Sequence, residues 1–187
     1  MREVIALCQL VVSGLLVCGC AKRPTTTDLH RAAESGDIRQ VRLLLANGAE
    51  INTPDENNDT PLQRATFGCQ APVVDLLIAN GASVNTRNRY GRTPLHVAAL
   101  RDFKDIAQIL ISNGAEVNVV DDRGQTPLHT AASFGRAEVA TELLAHEANA
   151  ESVDGQGRTA LDLARAAGHT EVVRLLEIAR RSGASGA

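Results

Sequence analysis

Residues 93–99 read TPLHVAA and residues 126–132 read TPLHTAA, 33 positions further on. Stepping by the same interval gives TDLHRAA from Thr27, TPLQRAT from Thr60 and TALDLAR from Thr159. Each residue type in this heptapeptide has a local job. The Thr hydroxyl suits a helix N-cap, where it accepts a backbone N–H that has no partner within the helix. A proline just after it fills the first helical position, where its missing N–H costs nothing. Leu62, Leu95, Leu128 and Leu161 then point to a core, and the small alanines let a short helix approach its neighbours closely.

A break is expected after each heptapeptide at Gly36, Gly68, Gly135 or Gly168, with Asp102 holding that place in the third copy. A second helix should follow, with apolar residues at helical spacing: Val41 with Leu44, Val74 with Leu77, Val173 with Leu176. NGA closes it in three copies (Gly48, Gly81, Gly114), where glycine supplies a left-handed residue. Glu147 replaces that glycine in the fourth copy, which predicts a softer junction, since a left-handed non-glycine residue costs roughly 1 kcal/mol. A turn then leads to the next Thr and carries Gly91, Gly124 or Gly157, with Asn58 in the second copy.

Self-similarity at this period with this heptapeptide resembles ankyrin repeats. The resemblance spans about residues 25–180 and implies an all-α fold, a solenoid of stacked helix-turn-helix units with projecting β-hairpin loops. The predicted domain runs over 27–180, with repeats starting at 27, 60, 93, 126 and 159, followed by a disordered tail over 181–187. The end units cannot bury both faces and should act as caps. In the last one, Glu171, Arg174, Glu177 and Arg180 recur at helix-surface spacing.

The other end of the chain is organised differently. Met1-Arg2-Glu3 precedes an apolar run from Val4 to Val17, too short for a spanning helix of roughly 20 residues. A short start, an apolar middle and a small-residue exit form the pattern of a secretory signal peptide, here 1–19. Val17-Cys18-Gly19-Cys20 resembles the bacterial lipobox, although Cys18 stands where Ala, Ser or Thr is usual. That resemblance implies cleavage before Cys20 and diacylglycerol on its thiol. Other readings are an ordinary signal peptidase site and a buried N-terminal helix. Each buried methylene contributes about 0.8 kcal/mol, so two or more acyl chains make a lasting tether. The linker over 20–26 reaches on the order of 20 Å, holding the domain against the bilayer. Ala21 rather than Asp after the lipidated cysteine implies the outer membrane, facing the periplasm; the alternative is a soluble periplasmic or secreted protein. Only Cys69 then remains in the mature domain, so no disulfide framework is available, and it is expected to pack as a small apolar residue.

Composition narrows the function classes. The chain has 187 residues, a formal charge of −3 and 44% hydrophobic but only 2% aromatic residues. No basic stripe with interleaved aromatics is present, which disfavours nucleic acid. No nucleophile elbow, HExxH, Walker loop or dinucleotide fingerprint appears, so no enzyme, cofactor or small-molecule substrate is expected. His30, His96 and His129 occupy one position of the repeat and would lie too far apart to share a metal; the resemblance implies that they hydrogen-bond the turn between units. His146 and His169 lack a Cys or carboxylate at ligand spacing. Asp121 and Asp122 read as turn formers.

Recognition of another protein is what remains, the partner being expected at or near a membrane surface. By family resemblance the surface comprises hairpin tips and exposed first-helix positions: Arg89, Tyr90, Arg92, Arg123 and Gln125 on tips, Phe67, Leu100, Arg101 and Phe134 on helices. Aromatic and Arg residues carry most interface energy, which favours Tyr90, flanked by Arg89 and Arg92. Phe67 and Phe134 fit equally an interface or a wedge between helices. Asp55, Glu56 and Asp59 make the second hairpin acidic, whereas Arg87, Arg89, Arg92, Arg101 and Lys104 make the third unit basic. A solvated surface accounts for this, as does a partner with matching charge. A regulator that occludes an enzyme's site is a further alternative.

Overall fold

The computed structural model describes residues 26–184. The signal peptide over 1–19, Cys20 and the linker as far as residue 25 lie outside the described residues, as do the last three residues of the tail. Ten helices follow in five pairs: α1 (Thr26–Ser35) with α2 (Ile38–Ala46), α3 (Pro61–Phe67) with α4 (Ala71–Ala79), α5 (Pro94–Arg101) with α6 (Lys104–Ser112), α7 (Pro127–Ser133) with α8 (Ala137–Ala145), and α9 (Ala160–Ala167) with α10 (Thr170–Ala184). First helices stack on first helices and second on second, and each pair packs internally, as an all-α solenoid requires.

Four of the five capping threonines act as expected. Thr60, Thr93, Thr126 and Thr159 adopt extended backbone and form reciprocal capping boxes with the residue three positions on. Thr27 does not: α1 begins one residue earlier and includes it. Asp28 follows Thr27 where units two to four carry proline, so no pre-proline steric bar opposes this earlier start; that absence permits it without compelling it, since Thr159 precedes Ala160 and still caps. The far end also differs from expectation. α10 continues to Ala184, so the start of the tail placed at 181–187 is helical.

The core is one continuous column. Leu29, Leu62, Leu95, Leu128 and Leu161 are buried on the first helices, and Leu44, Leu77, Leu110, Leu143 and Leu176 on the second. Val172 rather than Val173 is the fully buried partner of Leu176. The alanines at 32, 33, 65, 98, 99, 131, 132 and 164 are buried too, letting the helices approach with little aromatic volume between them.

Left-handed residues close the second helices at Gly48, Gly81, Gly114 and Glu147 as expected, and the breaks and hairpin turns take the same backbone region. Asn58, Asp102 and Glu147 take positive φ in place of glycine. The second break, however, turns at Cys69 (φ 59°), while Gly68 keeps an ordinary φ of −78°. Gly68 is needed for a different reason, because a Cβ there would meet the backbone carbonyl of Glu34 in the first unit. Cys69 is therefore exposed rather than packed in the core.

The first of three ladders tying the units together is made of asparagines. Asn52, Asn85 and Asn118 each donate to the carbonyl of the next left-handed closing residue (Gly81, Gly114, Glu147) and accept an N–H two residues beyond it. Glu151 interrupts this ladder and is met instead by Arg180 at 2.6 Å. Glu177 likewise reaches Arg165 at 2.7 Å, so two of the four spaced charges of α10 bind other helices and loops rather than one another.

Candidate functional site

The hairpin tips are positioned by a repeated carboxylate or amide. Asp55, Asn88, Asp121 and Asp154 each accept two N–H groups through Oδ1, from the residues two and four positions on, at 2.8–3.1 Å. This is the turn-forming chemistry expected of Asp121. The loops expected as β-hairpins contain no strand among the described residues, only an isolated bridge between Val153 and Thr159. The side-chain brace works beside one backbone bond across each turn, from Asp55, Asn88, Asp121 and Asp154 N–H to the Asp59, Arg92, Gln125 and Arg158 carbonyls at 2.9–3.0 Å. Neighbouring tips bond to each other: Arg89 N–H to the Asn57 carbonyl (3.1 Å), Asp122 N–H to Tyr90 (3.1 Å) and Gly155 N–H to Arg123 (2.9 Å).

Beneath the tips runs the third ladder. His30, Gln63, His96 and His129 each donate from Nε2 to the carbonyl of the next hairpin, at Asp59, Arg92, Gln125 and Arg158, over 2.9–3.1 Å. His96 and His129 accept the capping Thr N–H on Nδ1, which fixes the proton on Nε2. Burial pushes the His96 imidazole down from 6.5 to about 4, although its bond to the Gln125 carbonyl works the other way. His129 is lowered for the same reason. Burial opposes ionisation of Asp154, but the Arg158 guanidinium and two backbone N–H groups outweigh it and bring its carboxyl to about 2. These groups are structural braces. Among the described residues no cluster of His, Cys, Asp and Glu could hold a metal ion. His146 does have a carboxylate after all, Glu142 one helical turn before it at 3.1 Å.

On this frame stand the predicted site residues. Phe67, Tyr90 and Phe134 are 42%, 52% and 49% exposed, so the wedge reading of the two phenylalanines does not hold. The one aromatic packed against the core is Phe103. Arg101 stacks on the Phe67 ring at 4.2 Å from its centroid, and Arg89 and Arg92 flank Tyr90 at 4.9 and 5.9 Å. Arg123 is exposed on the next tip, and Gln125 and Leu100 are half-buried. The Leu100 carbonyl accepts a bond from Arg136 at 3.0 Å, joining the third and fourth units.

Sequence reasoning missed Arg64. It lies between units one and two, its Nε 2.8 Å from Asp55, with Glu34 at 3.5 Å and Asp59 at 3.6 Å. Arg64, Asp55 and Glu34, with His30, Arg31 and Glu56, line an open cleft of about 420 Å³. Burial disfavours charge on Asp55, but Arg64 and the N–H groups of Asp59 and Asn57 hold its carboxyl below the usual range. The second hairpin thus stays acidic, with Arg64 offsetting one of the three charges of Asp55, Glu56 and Asp59. The signal lies in the fifth residue of the heptapeptide, Arg31 and Arg64 in the first two copies against Val97 and Thr130 in the next two.

A family profile described as ankyrin repeats (3 copies) matches residues 29–121 and again 104–182. The chain belongs to the ankyrin-repeat family. No curated protein matches it. Ankyrin repeats mediate binding to other proteins, which gives the exposed aromatics and arginines their context. Among the described residues of this ankyrin protein, no helix is long and apolar enough to cross a membrane.

Proposed function

We propose that this chain is a non-enzymatic binding module or scaffold of five ankyrin repeats, tethered through an acylated Cys20 to a bacterial envelope membrane. The observation that carries the binding role is the trio of exposed aromatics, Phe67, Tyr90 and Phe134, two of them with guanidinium groups over the ring. Large aromatic side chains left in water on a frame whose core is otherwise aliphatic are what an interface would bury. Tyr90, Arg89, Arg92 and Arg123 form its tip side, and Phe67, Leu100, Arg101 and Phe134 its helix side. The tether rests on Val17-Cys18-Gly19-Cys20 and on the apolar run before it. Ala21 after the cysteine favours the outer membrane, facing the periplasm.

A photo-crosslinking residue at position 67, 90 or 134 in intact cells, followed by mass spectrometry, tests the binding role. A single envelope protein captured from all three positions is the expected result; adducts no richer than from the outward-facing position 174 would refute it. The tether is tested separately by intact mass of the mature N-terminus, where an acylated Cys20 is expected and an unmodified terminus would remove the anchor.

A further inference from the structure

The central tips carry more positive charge than their own carboxylates use. On the third and fourth tips Arg87, Arg89, Arg92 and Arg123 stand against Asp121 and Asp122, while Arg101 ends α5, next in sequence to Asp102. Arg92 takes Asp121 (3.4 Å) and Arg87 takes Asp122 (3.8 Å). Among the described residues, Arg89, Arg101 and Arg123 have no carboxylate within ion-pair distance. Two of these three are held by a ring rather than by an anion, Arg101 on Phe67 and Arg89 on Tyr90. Stacking occupies the flat face of a guanidinium and leaves its in-plane N–H fork open to a bidentate acceptor. It also restrains the side chain beforehand, which lowers the ordering cost of binding.

The geometry points to an acidic protein segment, with carboxylates three residues apart, as the feature this surface reads; the inference rests on the protein-binding role proposed above. Tyr90 and Asp122 join adjacent tips through one backbone hydrogen bond of 3.1 Å, so Arg89 and Arg123 belong to consecutive units. Packed helices lie about 8–10 Å apart, and a segment in the polyproline conformation advances ~3.1 Å per residue with about three residues per turn, so side chains three apart share a face. Three residues therefore span one unit, placing one carboxylate on each arginine and an intervening apolar side chain against Tyr90. Nucleic acid fits less well, because its continuous charge would meet Asp122 between the arginines and Glu56 on the preceding tip, both exposed. A second copy of the chain fits less well too. Arg64 already engages Asp55 and Asp59 on its own acidic hairpin.

Fluorescence anisotropy on the full-length protein tests this with a dye-labelled peptide of three Glu-Leu-Gly triplets, its Lys-Leu-Gly counterpart and a ten-nucleotide single-stranded DNA. The acidic peptide is expected to bind best, more weakly as salt rises. Arg89→Glu with Arg123→Glu is expected to weaken it at least about tenfold, and the milder Arg89→Gln with Arg123→Gln by less, with melting temperatures unchanged and Arg174→Glu without effect. Absence of acidic-peptide binding, equal or tighter binding of the lysine peptide or the DNA, or unchanged affinity in both double variants overturns the inference. Crosslinking from position 90 separates it from the broader role: a captured partner whose linked segment lacks spaced carboxylates defeats the acidic-segment inference alone, whereas no partner at 67, 90 or 134 defeats both.

Discussion

Units two and three do the same work with different side chains. Gln63 and His96 both donate from Nε2 to the following hairpin and both accept the N–H of their capping threonine. At the break, unit two turns on Cys69 and unit three on Asp102, whose carboxylate also caps Val139 N–H in the next unit at 3.1 Å. At the tip, Asn58 donates to the Arg87 carbonyl where unit three has only Gly91. The repeat therefore specifies donors, acceptors and backbone regions, not residue names. What a unit cannot exchange freely is set by its neighbours: α3 approaches α1 so closely that Gly68 can carry no Cβ, a demand absent at the third unit's Arg101.

Gly68→Ala should break the comparison most severely. Its new methyl would press on the rigid carbonyl of Glu34, and overpacking against backbone leads us to expect a loss of about 3 kcal/mol in urea unfolding. Gly48→Ala, where nothing lies within 4 Å, should lose only about 1 kcal/mol through its left-handed φ. Equal losses would mean the close approach of units one and two is not what fixes Gly68.

The next largest effect depends on pH. His96 folds with its proton affinity depressed from 6.5 to about 4, so the unfolded chain takes up a proton that the folded one refuses. Stability is fully present above pH 6.5 and declines as pH falls toward 4, by on the order of 3 kcal/mol. A second N–H on the imidazole would also face the Thr93 N–H it now accepts. His96→Gln should keep the neutral-pH stability, as Gln63 shows is possible, and flatten the decline in chemical denaturation between pH 6.5 and 4. Gln63→His should steepen it.

A smaller acid effect belongs to the hairpins. Asp154 is stabilised in its charged form down to about 2, so its contribution is present above 3.8 and vanishes as pH falls through 2. Asp154→Asn retains the turn-bracing acceptor, as Asn88 does in unit three, and loses the Arg158 pair. With Arg158 half exposed, that loss should be about 1 kcal/mol at pH 7 and nil near pH 2.

Much of the frame could be read from the residues because each position answers to one local rule. The Thr-Pro caps, the inward leucines and the left-handed substitutes Asn58, Asp102 and Glu147 all follow from backbone chemistry inside a single unit. The histidine ladder followed from family resemblance. The failures concern contacts between units. Arg64 gathers carboxylates that come from two units, and the demand on Gly68 comes from Glu34, more than thirty residues away, which no pattern inside one unit reveals. Phe67 and Phe134 are ambiguous in the sequence, since spacing alone does not tell whether a ring at a helix end points into the neighbouring turn or into water.

The smallest effect isolates the cost of the misassigned break. Cys69 holds a left-handed φ of 59° with its side chain exposed, so its thiol gains little burial to offset the crowding of its Cβ. Cys69→Gly removes that crowding but adds backbone freedom to the unfolded chain, and the two partly cancel. A net gain of about 0.5 kcal/mol is expected in urea unfolding, with helix content unchanged. Glu147→Gly should behave alike, because its carbonyl rather than its side chain accepts the bond from Asn118. If either substitution lowered stability, the side chain at that left-handed position would have to contribute an interaction of its own, and the second and fourth units would differ from the others by more than backbone strain.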